Sequence, residues 1–150
     1  IDPGKSGGLA WSNGRWTCAD AMPDTDTDLV EQLRLIEIAA RIDDAPLIAY
    51  VEKVGGFVGK GQPGSAMFKF GFGCGVIEGA LRALKIQTVY VRPQEWTKHF
   101  SLGTAASCAT KTIWKQKLRA EAQRRFPQLK ITLATSDALL ILVYAQAQEK

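Results

Sequence analysis

The first ten residues constrain the fold of this chain more than any other stretch. They read IDPGKSGGLA, so an apolar residue and a carboxylate precede a Pro-Gly turn, and a Gly-Gly pair leads into a second apolar run. This pattern predicts the end of one strand folding back into the next. Asp2 would then lie at a strand end, either as a solvated turn residue or as one member of a metal site. Because only Ile1 precedes Asp2, the opening strand is short, and we expect further residues upstream.

The remaining elements follow from periodicity and turn signals. Asn13-Gly14 favours a tight turn and predicts a β-hairpin of residues 8–11 and 15–22. Later elements are a helix from about 26 to 42, a strand 46–51 closed by Glu52, a helix from Ser65 to about 83, a strand 87–91, a short helix or turn 93–100, a helix 111–125 capped by Thr110, a short strand 130–133 and a last helix 137–148 capped by Ser136. Gly75 and Gly79 share one helix face, where we expect another backbone to approach closely.

The order of these elements predicts the fold class. Antiparallel first strands followed by alternating strands and helices are typical of an α/β protein with helices on both faces of a mixed sheet. With 150 residues, of which 46% are apolar, the chain is sized for one domain, residues 1–150. We therefore predict a mixed five-stranded sheet whose first three strands are antiparallel.

Composition narrows the function classes. Three cysteines lie far apart without C-x-x-C spacing, which disfavours a disulfide framework or a zinc site and favours a reducing compartment. No apolar run reaches the roughly 18 to 20 residues that a membrane span needs, so we expect a soluble protein with no membrane partner. The net charge of +4 arises mainly from Lys and Arg in the last third of the chain, which is compatible with a polyanionic partner.

Three carboxylates occur where the predicted elements end or begin. Asp2 ends the first strand, Glu52 ends the fourth, and Asp137 opens the last helix. Taken alone, each is typical of an ordinary turn, strand-end or helix-start residue. If the two strands are neighbours and the helix packs across them, the three acids meet. Clustered carboxylates suit Mg²⁺, and two ions about 4 Å apart could activate water and stabilise a leaving 3′ oxygen in phosphodiester hydrolysis.

Short motifs in this order resemble a known family. Ile1-Asp2-Pro3-Gly4, Val51-Glu52 and the run DALLI from Asp137 are similar to motifs of the RuvC-type Holliday-junction resolvases, of the RNase H-like superfamily. The runs FGFG from Phe70 and EWTKHF from Glu95, with Gly75 and Gly79, resemble the phage and bacterial RuvC-like branch and the plant chloroplast resolvases. The resemblance covers nearly the whole chain.

The resemblance implies a homodimeric endonuclease that binds four-way DNA junctions and nicks two opposing strands in DNA recombination and repair, using Mg²⁺ or Mn²⁺, with two ions per site. On this interpretation Asp2 bridges the ions, Glu52 and Asp137 each hold one side, and Lys111 lies beside the scissile phosphate as a catalytic residue. The expected location is the cytoplasm of a bacterium or phage-infected cell, or an organelle.

The same comparison predicts how DNA is held. Phosphate contacts need cations and helix N-termini, and glycine-rich loops with aromatic residues allow backbone approach and base stacking. The residues predicted to contact DNA are Lys53, Phe57, Lys60, Lys69, Phe70, Lys111 and Lys115. Phe57, isolated in a glycine-rich loop, is the better candidate for an exposed wedge.

One departure keeps alternatives open. The family usually places a further Asp or His about three positions before the final acid, where this chain has Ala134. One alternative is therefore a junction-binding protein with an impaired metal site. Another is a transposase-type RNase H-like catalytic domain, and a third is a domain related to the sugar-kinase and actin-like ATPases, whose opening strand also carries an acidic, glycine-rich turn.

Overall fold

The computed structural model describes residues 1–55 and 63–149. In these ranges the chain forms four strands, five α-helices and one short 3-10 helix. In chain order they are β1 (Gly8–Ser12), β2 (Thr17–Ala21), α1 (Asp26–Ile42), β3 (Ile48–Glu52), α2 (Gly64–Ala83), β4 (Gln87–Val91), α3 (Pro93–Lys98), the 3-10 helix (Ala105–Ser107), α4 (Lys111–Arg125) and α5 (Leu133–Gln148).

The predicted hairpin is confirmed, with a longer connection than a tight turn. β1 and β2 pair antiparallel, with Ser12 opposite Thr17. Residues 13–16 connect them, and the Asn13 side-chain oxygen accepts hydrogen bonds from the backbone N–H groups of Arg15 (3.1 Å) and Trp16 (3.2 Å). Gly14 has φ of +85°, a conformation that glycine adopts without steric cost.

The predicted five-stranded sheet is not formed by the described residues. The four strands make two sheets of two strands, β1 with β2 antiparallel and β3 with β4 parallel. Ile1 and Asp2 lie between the two sheets: Asp2 exchanges two backbone hydrogen bonds with Gly8, and the Ile1 oxygen accepts one from the Glu52 N–H at 2.9 Å. These two residues link the sheets through an isolated bridge, and they do not form the predicted first strand.

Helices cover both faces of this arrangement, as predicted. Alternate residues of β3 point to different cores: Tyr50 packs in a cluster with α3, α4 and α5, whereas Val51 packs in a cluster with α1 and α2. The first cluster is built around α5, in which Leu139, Leu140 and Ile141 have no exposed surface. Among the described residues no helix is both long and apolar enough to cross a membrane.

The start of α5 corrects two predictions. Residues 130–133 form no strand, and the helix begins at Leu133. Its cap is Thr132, whose hydroxyl accepts from the Thr135 N–H, while the Thr135 hydroxyl accepts from the Thr132 N–H. This reciprocal pair satisfies two helix-start donors one turn earlier than the predicted cap, Ser136. Asp137 consequently lies in the second turn of α5 and does not open it.

Glycines also behave differently from the prediction. A side chain added at Gly75 or Gly79 would meet nothing within 4 Å, so neither glycine is in close contact with another backbone. The close approach occurs at Gly8, where an added Cβ would lie 2.5 Å from the Asp20 oxygen and 2.7 Å from the Ala134 oxygen. The first turn of α5 therefore packs directly on β1. Helix α2 begins at Gly64 after Pro63, without the predicted Ser65 cap.

Candidate active site

The backbone places Asp2 and Glu52 side by side. The Ile1 nitrogen donates to the Tyr50 oxygen at 2.7 Å, and the Glu52 nitrogen donates to the Ile1 oxygen at 2.9 Å. This is the hydrogen-bond pattern of a parallel pair in which Ile1 lies opposite Val51, so Asp2 lies opposite Glu52. Neighbouring residues on adjacent strands are about 5 Å apart and point to the same face. Two carboxylates therefore emerge together at this edge.

The environment of Asp2 disfavours its charge. Its carboxyl is largely buried, and Gly7 packs so closely that an added Cβ would lie 2.9 Å from the Asp2 carboxyl carbon. Burial, followed by the nearby charges of Asp137 and Glu52, raises the pKa of Asp2 to about 7, against the opposing effect of Lys115. Asp2 thus needs a cation, or a proton, to be stable in the folded protein near neutral pH.

Trp96 holds Glu52. The indole N–H of Trp96, a residue of α3 that is only 2% exposed, donates to Glu52 Oε2 at 2.7 Å. Burial raises the pKa of Glu52, the Trp96 hydrogen bond lowers it, and the charge of Asp137 raises it; the net direction is upward. One Glu52 oxygen is therefore fixed by Trp96.

Asp137 is bound by the chain's own donors. It is 5% exposed, and the Lys115 ammonium donates to its Oδ2 while the Ser136 hydroxyl donates to its Oδ1 at 3.1 Å. Burial by itself lowers the pKa of Lys115, but the charge and hydrogen bond of Asp137, then the charges of Asp2 and Glu52, give a net rise. Lys115 is therefore a protonated cation among three acids.

The donor set fits a hard divalent cation only in part. Carboxylate oxygens are the ligands that Mg²⁺ and Mn²⁺ prefer, and Asp2 and Glu52 supply them side by side. Within residues 1–55 and 63–149, however, no three His, Cys, Asp or Glu side chains are grouped so that they could hold a metal ion. The arrangement therefore offers a two-carboxylate site and a separate lysine-bound acid.

A cleft adjoins this group of charges. It has a volume of about 420 Å³ and is lined by residues 2–7, Phe70 and Lys115. A second cleft of about 390 Å³ shares Gly4, Lys5 and Phe70 with the first and is also lined by Lys69. Two predicted DNA-contacting residues of α2, Lys69 and Phe70, thus lie along one continuous depression next to Asp2.

The other predicted contact residues are placed differently. Lys111 is the exposed first residue of α4, and among the described contacts it makes none with the acids; Lys115, one turn later, does. Lys53 is exposed directly after β3. Phe57 and Lys60 lie outside the described residues.

Sequence reasoning did not identify Trp96, Ser136 or Lys5 as parts of the site. Lys5 carried a signal, because it follows Asp2 within the same turn. Ser136 is adjacent to Asp137, but it was interpreted as a cap. Trp96 carried no signal, since its partner Glu52 is 44 residues away in the sequence.

Comparison with known proteins supports the fold. No protein-family model matches the sequence, and no curated protein matches it. Among solved structures, the chain is similar to RuvC of Thermus thermophilus, with a TM-score of 0.53 and 15% sequence identity, over 99% of this chain and 94% of that chain. The predicted α/β class is therefore confirmed, and the chain has a RuvC-like fold.

Proposed function

We propose that this chain is a divalent-metal-dependent endonuclease of the RNase H-like superfamily that resolves four-way DNA junctions by paired symmetrical nicks. The observation that carries the proposal is the pairing of Asp2 with Glu52 at the strand edge, beside Asp137 and Lys115. Three acids that influence one another's charge, next to a lysine and an open cleft, form a suitable site for phosphodiester hydrolysis. The RuvC-like fold is compatible with this chemistry.

The acids would hold the metal. Asp2 and Glu52 would bind Mg²⁺ or Mn²⁺, which supplies an activated water and stabilises charge at the leaving 3′ oxygen. Trp96 would keep Glu52 in one orientation through its hydrogen bond to Oε2. The raised pKa of Asp2 favours the same role, because a bound cation stabilises the charged form that burial disfavours.

Lys115 is the better candidate for the catalytic lysine. It lines the cleft with Asp2, whereas Lys111 is exposed at the start of α4. Its ammonium group would contact the scissile phosphate and offset the negative charge that develops there. We therefore assign to Lys115 the role that the sequence had suggested for Lys111.

The DNA would lie along the depression beside Asp2. Lys5 and Lys69 would contact backbone phosphates, and Phe70 would face the bases or sugars near the cut. Two symmetrical nicks require two active sites, which a homodimer supplies.

A second candidate function has its own support. Ala134 provides no carboxylate where the resemblance led us to expect a further acid, and Asp137 is already bound by Lys115 and Ser136. These features favour a junction-binding protein whose metal site is impaired.

Incubation with a synthetic four-way junction separates the two functions. Each strand is end-labelled in turn, and the protein is added with Mg²⁺, with Mn²⁺ or with EDTA. The endonuclease predicts paired nicks at symmetrical positions that disappear in EDTA. Tight junction binding without nicks in either metal would contradict the endonuclease and support the binding protein.

A further inference from the structure

We infer that this site binds one divalent ion, through Asp2 and Glu52, and that the Lys115 ammonium takes the place of a second ion at Asp137. The inference rests on the proposed function and changes one part of it, because clustered acids of this type had led us to expect two ions. It assigns different roles to the three acids: two bind metal, and the third binds lysine.

The contacts of Asp137 are the first observation. Each of its carboxylate oxygens accepts from a donor of the same chain, Oδ2 from the Lys115 ammonium and Oδ1 from the Ser136 hydroxyl. Ser136 has no exposed surface and Asp137 is 5% exposed, so neither can turn away into solvent. An ion could bind Asp137 only by displacing Lys115.

Lys115 is well positioned to remain there. It lies on α4 beside Trp114, and α4 is anchored by Leu118 and Ala122, which are 1% and 0% exposed. The side chain of Lys115 crosses from this anchored helix to α5, where Asp137 is fixed in the second turn. Both ends of the ion pair are thus attached to helices of the same apolar core.

Charge balance favours a single ion. The site contains three carboxylates, and Lys115 compensates one of them. One divalent cation compensates the other two, Asp2 and Glu52, which lie side by side. A second divalent ion would leave the site with excess positive charge in addition to an existing ion pair.

The position of Ala134 is the second observation. Its backbone oxygen is pressed against Gly8, and its side chain offers no donor for a metal. The first turn of α5 therefore adds no oxygen side chain of an acid on the side where a second ion would bind. Mg²⁺ sites commonly use one or two carboxylates together with water and substrate phosphate, so Asp2 and Glu52 are sufficient for one ion.

The number of ions can be counted directly with Mn²⁺. Metal-stripped protein is titrated with Mn²⁺ in the absence of DNA, and unbound Mn²⁺ is measured by electron paramagnetic resonance. We expect one ion per chain. Asp2→Asn should weaken its binding at least about 10-fold, and Asp137→Asn should change it less than about 3-fold. Two ions per chain, no ion, or an equal loss in both variants would overturn the inference.

Variants of Lys115 test its role. Lys115→Met should expose Asp137 and raise the count to two ions, and Lys111→Met, the same change one turn earlier, should leave it at one. Because Lys115→Met leaves a buried acid without its partner, the double variant Lys115→Met/Asp137→Asn serves as a folded alternative and should still bind one ion. A count of one in folded Lys115→Met, or a lost ion in the double variant, would contradict the assignment. These counts do not depend on DNA cleavage, so a protein that binds one ion but nicks no junction would contradict only the proposed function.

Discussion

Replacing Asp2 by Asn should make the metal-free protein more stable at neutral and alkaline pH while removing its function. The side chain is buried next to two other acids, and this environment raises the pKa of Asp2 from 3.8 to about 7. Between these two pH values the folded protein keeps the Asp2 proton and the unfolded chain has lost it. The free energy of unfolding therefore falls as the pH rises through this window. Above pH 7 the folded protein carries the full cost of the charge.

The size of this cost follows from the pKa. A pKa about 3 above its ordinary value corresponds, at about 1.4 kcal/mol for each pKa unit, to about 4 kcal/mol. Asn has nearly the same shape as a protonated Asp and carries no charge. At pH 8 in EDTA, Asp2→Asn should thus raise the free energy of unfolding by about 4 kcal/mol, or the melting temperature by about 10 °C. At pH 4 the variant and the original protein should be nearly equal.

Urea denaturation at pH 4, 6 and 8, in EDTA and in Mn²⁺, measures these differences. Mn²⁺ should stabilise the original protein at pH 8 and have little effect on Asp2→Asn, because the ion binds only the folded site. Asp24→Asn, which removes an exposed carboxylate, is the matched control and should change stability by less than about 0.5 kcal/mol. A destabilised Asp2→Asn at pH 8, or a difference that does not vary with pH, would refute the reasoning.

Two further substitutions test the packing that positions the site. Gly8→Ala should destabilise the protein by at least about 2 kcal/mol in urea denaturation, because its Cβ would lie 2.7 Å from the Ala134 oxygen, while Gly75→Ala, with nothing within 4 Å, should stabilise α2 by about 0.5 to 1 kcal/mol; equal effects would contradict the close approach of α5 to β1. Trp96→Phe should cost about 3 kcal/mol and lower the cleavage rate, because it removes the hydrogen bond to Glu52 as well as apolar contacts. Trp114→Phe, at another buried indole, should reduce stability without a comparable loss of cleavage per folded molecule, and similar cleavage by both variants would exclude a positioning role for Trp96.

Local signals predicted most of the elements. Asn13-Gly14 located the hairpin, the Thr110 cap and the Pro after Phe126 located α4, and apolar periodicity located α1. The start of α5 was wrong because Thr132 and Ser136 are both good caps, and local sequence does not decide between them. The choice depends on the packing of the first turn against Gly8, which is a contact between distant parts of the chain.

The site was predictable in its acids but not in their partners. Asp2 and Glu52 follow from strand ends, since the ends of adjacent strands meet at one edge. The choice between Lys111 and Lys115 depends on which turn of α4 faces α5, and the two lysines lie on one face of the helix. The five-stranded sheet was wrong because only Ile1 and Asp2 lie between the two strand pairs in the described structure.

The most direct test of the central claim compares the original protein with Asp2→Asn on the same four-way junction. Junction binding is measured by gel shift in EDTA, and cleavage is measured after addition of Mg²⁺. We predict equal binding by both proteins, with paired symmetrical nicks made by the original protein alone. Cleavage by Asp2→Asn at the original rate would contradict the claim that Asp2 and Glu52 form the metal-binding centre of a nuclease.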